Sequence, residues 1–181
     1  MTSDHITSDH TTSDQLWQVC ARLEIADGLA RYCRAMDRMD DELAIGVWHP
    51  DGTATYEPNL FSGSAGDFVR FVRGVHEGFR ATTHRMANTI IRVRGHHAVS
   101  EAYGHVLLTR SADDGTAVLR HAYGRYLDRW SFRDDRWAID HRVYVRDIGY
   151  EHRTTVLDST VRRDRSDPSY EILGDITSPW A

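Results

Sequence analysis

Two hydrophobic periods divide the chain. Between Leu16 and Val75 apolar residues recur at steps of three and four; between Thr82 and Val145 they alternate with polar ones. The first period predicts a helix from Ser13 or Asp14, either a suitable N-cap, to about Met39. Leu16, Val19, Cys20, Leu23, Ala26, Ala30 and Cys33 form its apolar stripe, bordered by Leu29, Tyr32 and Met36, and this stripe is expected to face the core. Asp37 occupies the next step of the stripe, where a hydrophobe belongs. A short helix from Asp41 to Trp48 is expected to stop at the turn His49-Pro50-Asp51-Gly52. A short strand over Thr53–Tyr56, a loop through Pro58 and Gly63, and a helix over Ala65–Phe79 with Phe68, Phe71, Val72 and Val75 on one face follow. The second period predicts strands at 82–94, 98–110, 117–132 and 137–145, joined by short polar turns. Helices followed by an antiparallel meander imply an α+β fold, with three N-terminal helices packed on one face of a curved sheet.

The ends differ from this body. Residues 1–13 repeat a short Thr-Ser-Asp-His unit and read as a disordered tail whose histidines hold metal only adventitiously. Residues 14–147 form the domain. Residues 148–181 are polar and arginine-rich, with Tyr150, Tyr170, Ile172, Leu173 and Trp180 as scattered anchors, and suit either a lid over a pocket or an arm across a neighbouring subunit. The net charge of −5 gives no reason to expect nucleic acid or an anionic membrane as a partner. No apolar run approaches the roughly 20 residues of a membrane span, and the polar start contains no signal-peptide segment, so a cytoplasmic location is expected. Cys20 and Cys33 share one helix and cannot bridge. Every basic residue other than histidine is arginine: the chain has no lysine, which excludes Schiff-base and pyridoxal-phosphate chemistry and Walker-type nucleotide binding.

Candidate chemistry centres on Asp37 and on His84, which opens the first long strand as Thr83-His84-Arg85-Met86-Ala87-Asn88. A carboxylate aimed into a core and a histidine on the next element suit an acid/base pair in a pocket. The plain alternative is a capping aspartate and a satisfied core histidine. An ordinary imidazole titrates near pH 6.5; a carboxylate on one ring nitrogen fixes its tautomer and leaves the other nitrogen as a base. Tyr32 is either a proton donor or a core phenol, and Asn88, on the face of His84 by alternation, either orients substrate or supports the ladder. On the second long strand Val99, Glu101, Tyr103, His105 and Leu107 alternate with Ala98, Ser100, Ala102, Gly104 and Val106. The larger, more polar set is expected to line the pocket, with Tyr103 preferred and Glu101 and His105 behind it; the reverse assignment stays open. His121, Tyr123 and Arg125 share a face, His141 lies on the last strand, and one of these is expected to reach the pocket. Trp48, Tyr56, Leu60, Phe61, Phe68, Phe71 and Val72 supply an apolar wall. Eleven histidines include no His-x-His and no His-Glu-x-x-His, so no metal site is predicted.

Residues 14–147 resemble the SnoaL-like branch of the nuclear transport factor 2 superfamily, a cone-shaped α+β fold with a deep pocket. The resemblance rests on Arg31-Tyr32 through Asp37, the Trp48-His49-Pro50-Asp51-Gly52 turn, Gly63, the Thr83 to Asn88 segment, and Tyr126 through Trp137. It is nearest the cofactor-free lyases: hexachlorocyclohexane dehydrochlorinases, scytalone dehydratases, bile acid 7α-dehydratases and diarylpropane formaldehyde lyases. It implies that Asp37 and His84 are the dyad, that Tyr32 or Tyr103 is the acid, and that no cofactor is required. It further implies β-elimination, by dehydration or deformylation, from a hydrophobic aromatic or polycyclic alcohol, as in catabolism of aromatic compounds, in a homo-oligomer that is a dimer or a trimer. The same superfamily offers two other readings: a steroid- or polyketide-type isomerase or cyclase that uses the aspartate alone, and a non-catalytic assembly subunit of a ring-hydroxylating oxygenase.

Overall fold

The computed structural model describes residues 4–57, 59–155, 159–174 and 176, with side chains from residue 12 onward. Its elements are α1 (Asp4–Arg38), α2 (Asp41–Gly46), β1 (Trp48–Tyr56), β2 (Phe61–Ser64), α3 (Ala65–Glu77), β3 (Ala81–Arg94), β4 (His97–Ser111), β5 (Ala117–Arg133), β6 (Arg136–Thr154) and α4 (Pro168–Leu173). The strands form one curved, unclosed sheet in the order β2-β1-β6-β5-β4-β3, with the N-terminal helices on its concave side. Every pairing is antiparallel except β1 with β6, which run parallel. The α+β class and its helices-first order are as the periodicity predicts.

Local chemistry sets the boundaries. The Asp40 carboxylate accepts the Leu43 N–H at 3.1 Å and starts α2; Ser64 Oγ accepts the Asp67 N–H at 3.1 Å and starts α3. The β5–β6 turn holds Asp134 and Asp135 at φ 53° and 55°, the left-handed pair that matches strand twist in a tight hairpin. Inner-face glycines let the sheet wrap. A Cβ on Gly104 would stand 2.5 Å from the Tyr126 ring, and one on Gly124 would stand 2.8 Å from the Tyr144 ring.

Several boundaries differ from expectation. The helix α1 begins at Asp4, well before the Ser13 or Asp14 cap; residues 1–3 lie outside the described residues. Its stripe is also the reverse of the predicted one. Ala21, Ile25, Leu29, Tyr32, Ala35 and Met36 are buried, whereas Leu16, Val19 and Leu23 are exposed. The helix carries apolar residues on two opposite faces, and the face with Ile25, Tyr32 and Met36 offers more surface to bury against the sheet. His49-Pro50-Asp51-Gly52 does not end a helix but lies inside β1 as an irregularity, where the register with β6 slips between Trp48 and Thr53. The buried His49 ring holds it there, with Nε2 3.0 Å from the Ser131 carbonyl. The expected loop before α3 contains β2, and β6 continues past Val145 to Thr154 because β5 pairs with it throughout.

Candidate active site

Two helices and five strands, α1, α3, β1, β3, β4, β5 and β6, meet around a cavity of about 570 Å³ on the concave side of the sheet. The helix α1 brings Tyr32 to it, α3 brings Phe68, Val72 and His76, and β3 brings His84. Small inner-face residues of β4 and β5 leave the space, and Val106, Leu108, Ala122 and Tyr126 close it. The lining is mostly apolar and aromatic, and the exposed Arg120 and Glu151, paired at 3.0 Å, mark its outer end.

Asp37 and His84 touch. The aspartate sits in the last turn of α1, alongside β3, and receives two donors from one residue. His84 N–H lies 3.0 and 2.9 Å from its two oxygens, and His84 Nδ1 lies 2.7 Å from Oδ1. A carboxylate oxygen in this contact accepts, so Nδ1 is the ring nitrogen that donates and Nε2 is the one turned away from Asp37. Both side chains are largely withdrawn from solvent, at 5% and 14% exposure for His84 and Asp37. The backbone bond fixes the carboxylate against the strand, and the ring bond then fixes the imidazole plane.

Two further polar groups share the cavity. Tyr32 and Tyr56 hydroxyls are 2.9 Å apart and fully buried, and the Tyr32 ring stands edge-on to His84 with centroids 6.3 Å apart. Burial raises the pKa of both phenols, so both remain protonated near neutrality. His76, in the last turn of α3, faces His84 with ring centroids 5.4 Å apart. Burial, reinforced by the charges of His84 and Arg163, pushes its pKa down to about 3, so it is a neutral imidazole. Beneath the tyrosines lies a fully buried ion pair: Arg142 Nε and Nη2 each donate to Asp128 at 2.7 Å. The guanidinium also lies 4.2 Å from the Tyr32 ring centre and 4.8 Å from that of Tyr126.

Of the expected site residues, the structure gathers Asp37, His84, Tyr32, Tyr56 and Phe68, with Leu60, Phe71 and Val72 on the wall. His121 borders the cavity, although its ring stacks on Tyr150 and His152. The others are elsewhere. Tyr103, Glu101 and His105 occupy the outer face of β4: Tyr103 is half-exposed, Glu101 pairs with Arg125 at 3.2 Å, and His105 stacks on Tyr123. The alternate set of β4 faces inward because only small side chains leave room for the tyrosine rings of β5 and β6. Asn88 is exposed, since the β3–β4 register slips between Met86 and Thr89 and breaks the alternation that would have put it beside His84. His141 accepts or donates to Thr53 Oγ1 at 2.7 Å, away from the cavity. Trp48 and Phe61 stand behind the wall, packed on Phe68, and do not line it. Tyr144, Arg142, Asp128 and His76 were not anticipated. The first three could have been found by continuing the alternation of Tyr126 and Trp130 through β5 and β6, and His76 by its four-residue step from Val72. Among the described residues, no group of three or more His, Cys, Asp or Glu side chains converges as metal ligands, and no helix is long and apolar enough to cross a membrane.

Residues 17–143 match the sequence profile of the SnoaL-like domain. No curated protein sequence matches the chain significantly. Among solved structures, a type 2 hexachlorocyclohexane dehydrochlorinase (LinA) superposes with a TM-score of 0.68 at 13% identity, covering 80% of this chain and 97% of its own. A scytalone dehydratase-like protein from Novosphingobium aromaticivorans gives 0.63 at 20% identity over 83% and 98%. The Kfla4162 protein from Kribbella flavida gives 0.67 at 18% identity over 74% and 95%. At these identities the likeness establishes the fold.

Proposed function

The chain belongs to the SnoaL-like domain family, and from that premise we propose that it is a lyase that removes water from a hydrophobic aromatic or polycyclic alcohol by β-elimination. The observation that carries this reading is the Asp37–His84 contact at the wall of an apolar cavity. His84 Nε2 takes the proton from the carbon adjacent to the carbinol carbon. The electron pair of that C–H bond becomes the new C=C bond, and the C–O bond breaks. The departing hydroxide takes a proton from the Tyr32–Tyr56 pair and leaves as water. The imidazolium then returns its proton to the tyrosine pair through solvent. Asp37 holds the Nδ1 proton throughout and stabilises the imidazolium. Tyr103, on the outer face, has no part in this scheme. Deformylation of a primary alcohol would use the same base on the hydroxyl proton.

The cavity suits one to three fused or linked rings by volume, and besides His84 and the phenols its polar lining is His76, Arg120, His121, Arg146 and Glu151. An isomerase reading in which Asp37 shuttles the proton alone is less well supported, because both carboxylate oxygens already accept from His84. The lyase scheme is tested on a panel of 1-aryl alcohols and cyclic β-hydroxy ketones, following the absorbance of the conjugated product. General acid–base catalysis is worth about 10²- to 10⁴-fold, so His84→Ala is expected to lose that much in kcat with the fold intact. An active His84→Gln beside an inactive Asp37→Asn would replace the lyase scheme with the isomerase one.

A further inference from the structure

Residues 159–174 lie beyond the family-matched segment and fold back over the end of the molecule where α1, α2 and α3 converge. Asp167, the N-cap of α4, faces Arg38 at 3.3 Å; Ser169 Oγ accepts from Arg34 at 2.6 Å; Tyr170 donates to Asp40 at 2.8 Å. The most deeply placed basic residue of this strap is Arg163. Its Nη1 donates to the carbonyls of His76 (3.0 Å) and Phe79, at the C-terminal end of α3. Its Nη2 stands 2.8 Å from the sulfur of Met39, the residue at φ 55° that follows α1. A helix C-terminus presents unsatisfied carbonyls and partial negative charge, which a forked guanidinium meets with several donors at once.

These two helix ends are the ones that carry the site. Asp37 is two residues before Met39, and His76 is itself bonded through its carbonyl. We propose that Arg163 is a positioning residue: supplied from outside the family domain, it ties together the helix ends that bear Asp37 and His76, so that the dyad is correctly set only while the strap is docked. Its catalytic consequence rests on the lyase reading above; its geometric content does not. The charge relations agree. Burial lowers the Arg163 pKa and the Asp37 carboxylate opposes that shift; the guanidinium in turn adds to the burial and the His84 charge that disfavour protonation of His76. The groups facing the His76 ring are His84 from β3, Arg163 from the strap and the Met36 backbone from α1. Arg73, on α3, pairs with Glu77 and Asp41 at 3.3 Å and donates to the Met39 carbonyl at 2.8 Å, so it joins α3 to the end of α1 from within the family domain, without reaching the His76 carbonyl.

The test needs no substrate. In full-length protein with ¹⁵N-labelled histidine, pH titrations by NMR report the protonation of His76 and the tautomer and Nδ1 proton of His84. Arg163→Met is expected to raise the His76 midpoint by about one pH unit, as loss of a nearby charge does, and to broaden or remove the His84 Nδ1 proton signal. Arg163→Lys should restore part of both. Arg165→Met, on the same strap but paired with the exposed Glu42 at 3.4 Å, should leave both at wild-type positions. A folded Arg163→Met protein with wild-type signals for both histidines overturns the proposal. Tyr170→Ala loosens the strap from outside the cavity and covers the case in which Arg163→Met does not fold. The same signals should move; if amide exchange shows the strap released and they do not, the proposal fails. Activity of His84→Ala decides the lyase reading separately, because these signals are read without turnover.

Discussion

On the inner face of the sheet Tyr126 and Tyr144 lie with rings 4.9 Å apart, over Arg142 and beside the Tyr32–Tyr56 hydroxyl pair. On the outer face of the same strands His105, His121, Tyr123 and Tyr150 form a stack of near-parallel rings, with His105 and Tyr123 centroids 4.3 Å apart and those of His121 and Tyr150 4.7 Å apart. The residue types are almost the same. Inside, polar atoms are answered by particular partners: Asp37 by His84, Tyr32 by Tyr56, Asp128 by Arg142. Outside, the partners are fewer and more exposed: His105 Nε2 meets His121 Nδ1 at 3.0 Å, and Arg125 pairs with Glu101 and Asp147. Withdrawal from water, rather than composition, separates the two faces. It makes each inner polar contact expensive to lose.

The sharpest way to break this contrast is to remove one charge of the buried pair. Asp128→Asn leaves Arg142 charged with no solvent and no compensating carboxylate, and breaking such a pair typically costs about 3–5 kcal/mol. Urea unfolding should show that loss as a lower midpoint with an unchanged slope. The outer-face counterpart, Asp147→Asn, removes one of two carboxylates that hold the exposed Arg125, and its midpoint should barely move. Equal losses on the two faces would mean that burial does not distinguish them.

Much of this division was open to a reader of the sequence, and the failures have a common cause. The α+β order and the four long strands follow from periodicity; the Asp37–His84 pair is suggested by a carboxylate at a stripe position and rests on the resemblance to the SnoaL-like lyases. The facing of α1 and β4 did not follow. Leu16, Val19 and Leu23 make a good helical stripe, but so do Ile25, Leu29, Tyr32 and Met36, and only the sheet decides between them. On β4 the larger and more polar set looked suited to a wet pocket. Instead Ala102 and Gly104 face inward because the tyrosine rings of β5 and β6 already fill that space. Which face is buried depends on volumes contributed by other strands, and alternation along one strand carries no information about them. Asn88 was lost to a register slip, which period-two counting cannot see.

A second test uses pH to separate the faces. His76 is held neutral, with its pKa lowered to about 3 by burial and by its charged neighbours. The unfolded chain protonates this residue as pH falls through its ordinary value of about 6.5, while the folded protein does not until far lower. Its contribution to stability is therefore complete above about pH 6.5 and declines as pH falls from there towards 3. At roughly 1.4 kcal/mol per pH unit, the loss between pH 7 and pH 5 is about 2 kcal/mol. His76→Asn should be less stable at pH 7 but should show a flatter fall between pH 7 and 5, measured by urea unfolding at each pH. His105 and His121 are also shifted down, by burial first and by neighbouring histidine charge next, but both are only partly buried. His105→Asn should flatten the profile far less. A profile as steep in His76→Asn as in wild type would remove His76 from the account of acid sensitivity.

The smallest effect belongs to Tyr103, the residue whose assignment depends most completely on which way β4 faces. Its side chain is 48% exposed on the outer face, opposite Arg125 in the ladder with β5, and it makes no contact with the cavity. If the outer face is only a solvated surface, Tyr103→Ala changes stability within about 0.5 kcal/mol, the usual range for such positions, and leaves turnover by the His84 site unchanged. Tyr32→Phe on the inner face removes a buried hydroxyl from the Tyr56 pair and should lower kcat at the same site while leaving Tyr103→Ala as its matched control. Measuring the two variants side by side on one substrate of the alcohol panel tests the inward set of β4 directly. A Tyr103→Ala protein that loses activity as Tyr32→Phe does would require the strand to turn its other face to the substrate, and the packing of Gly104 against the Tyr126 ring would then have to be abandoned.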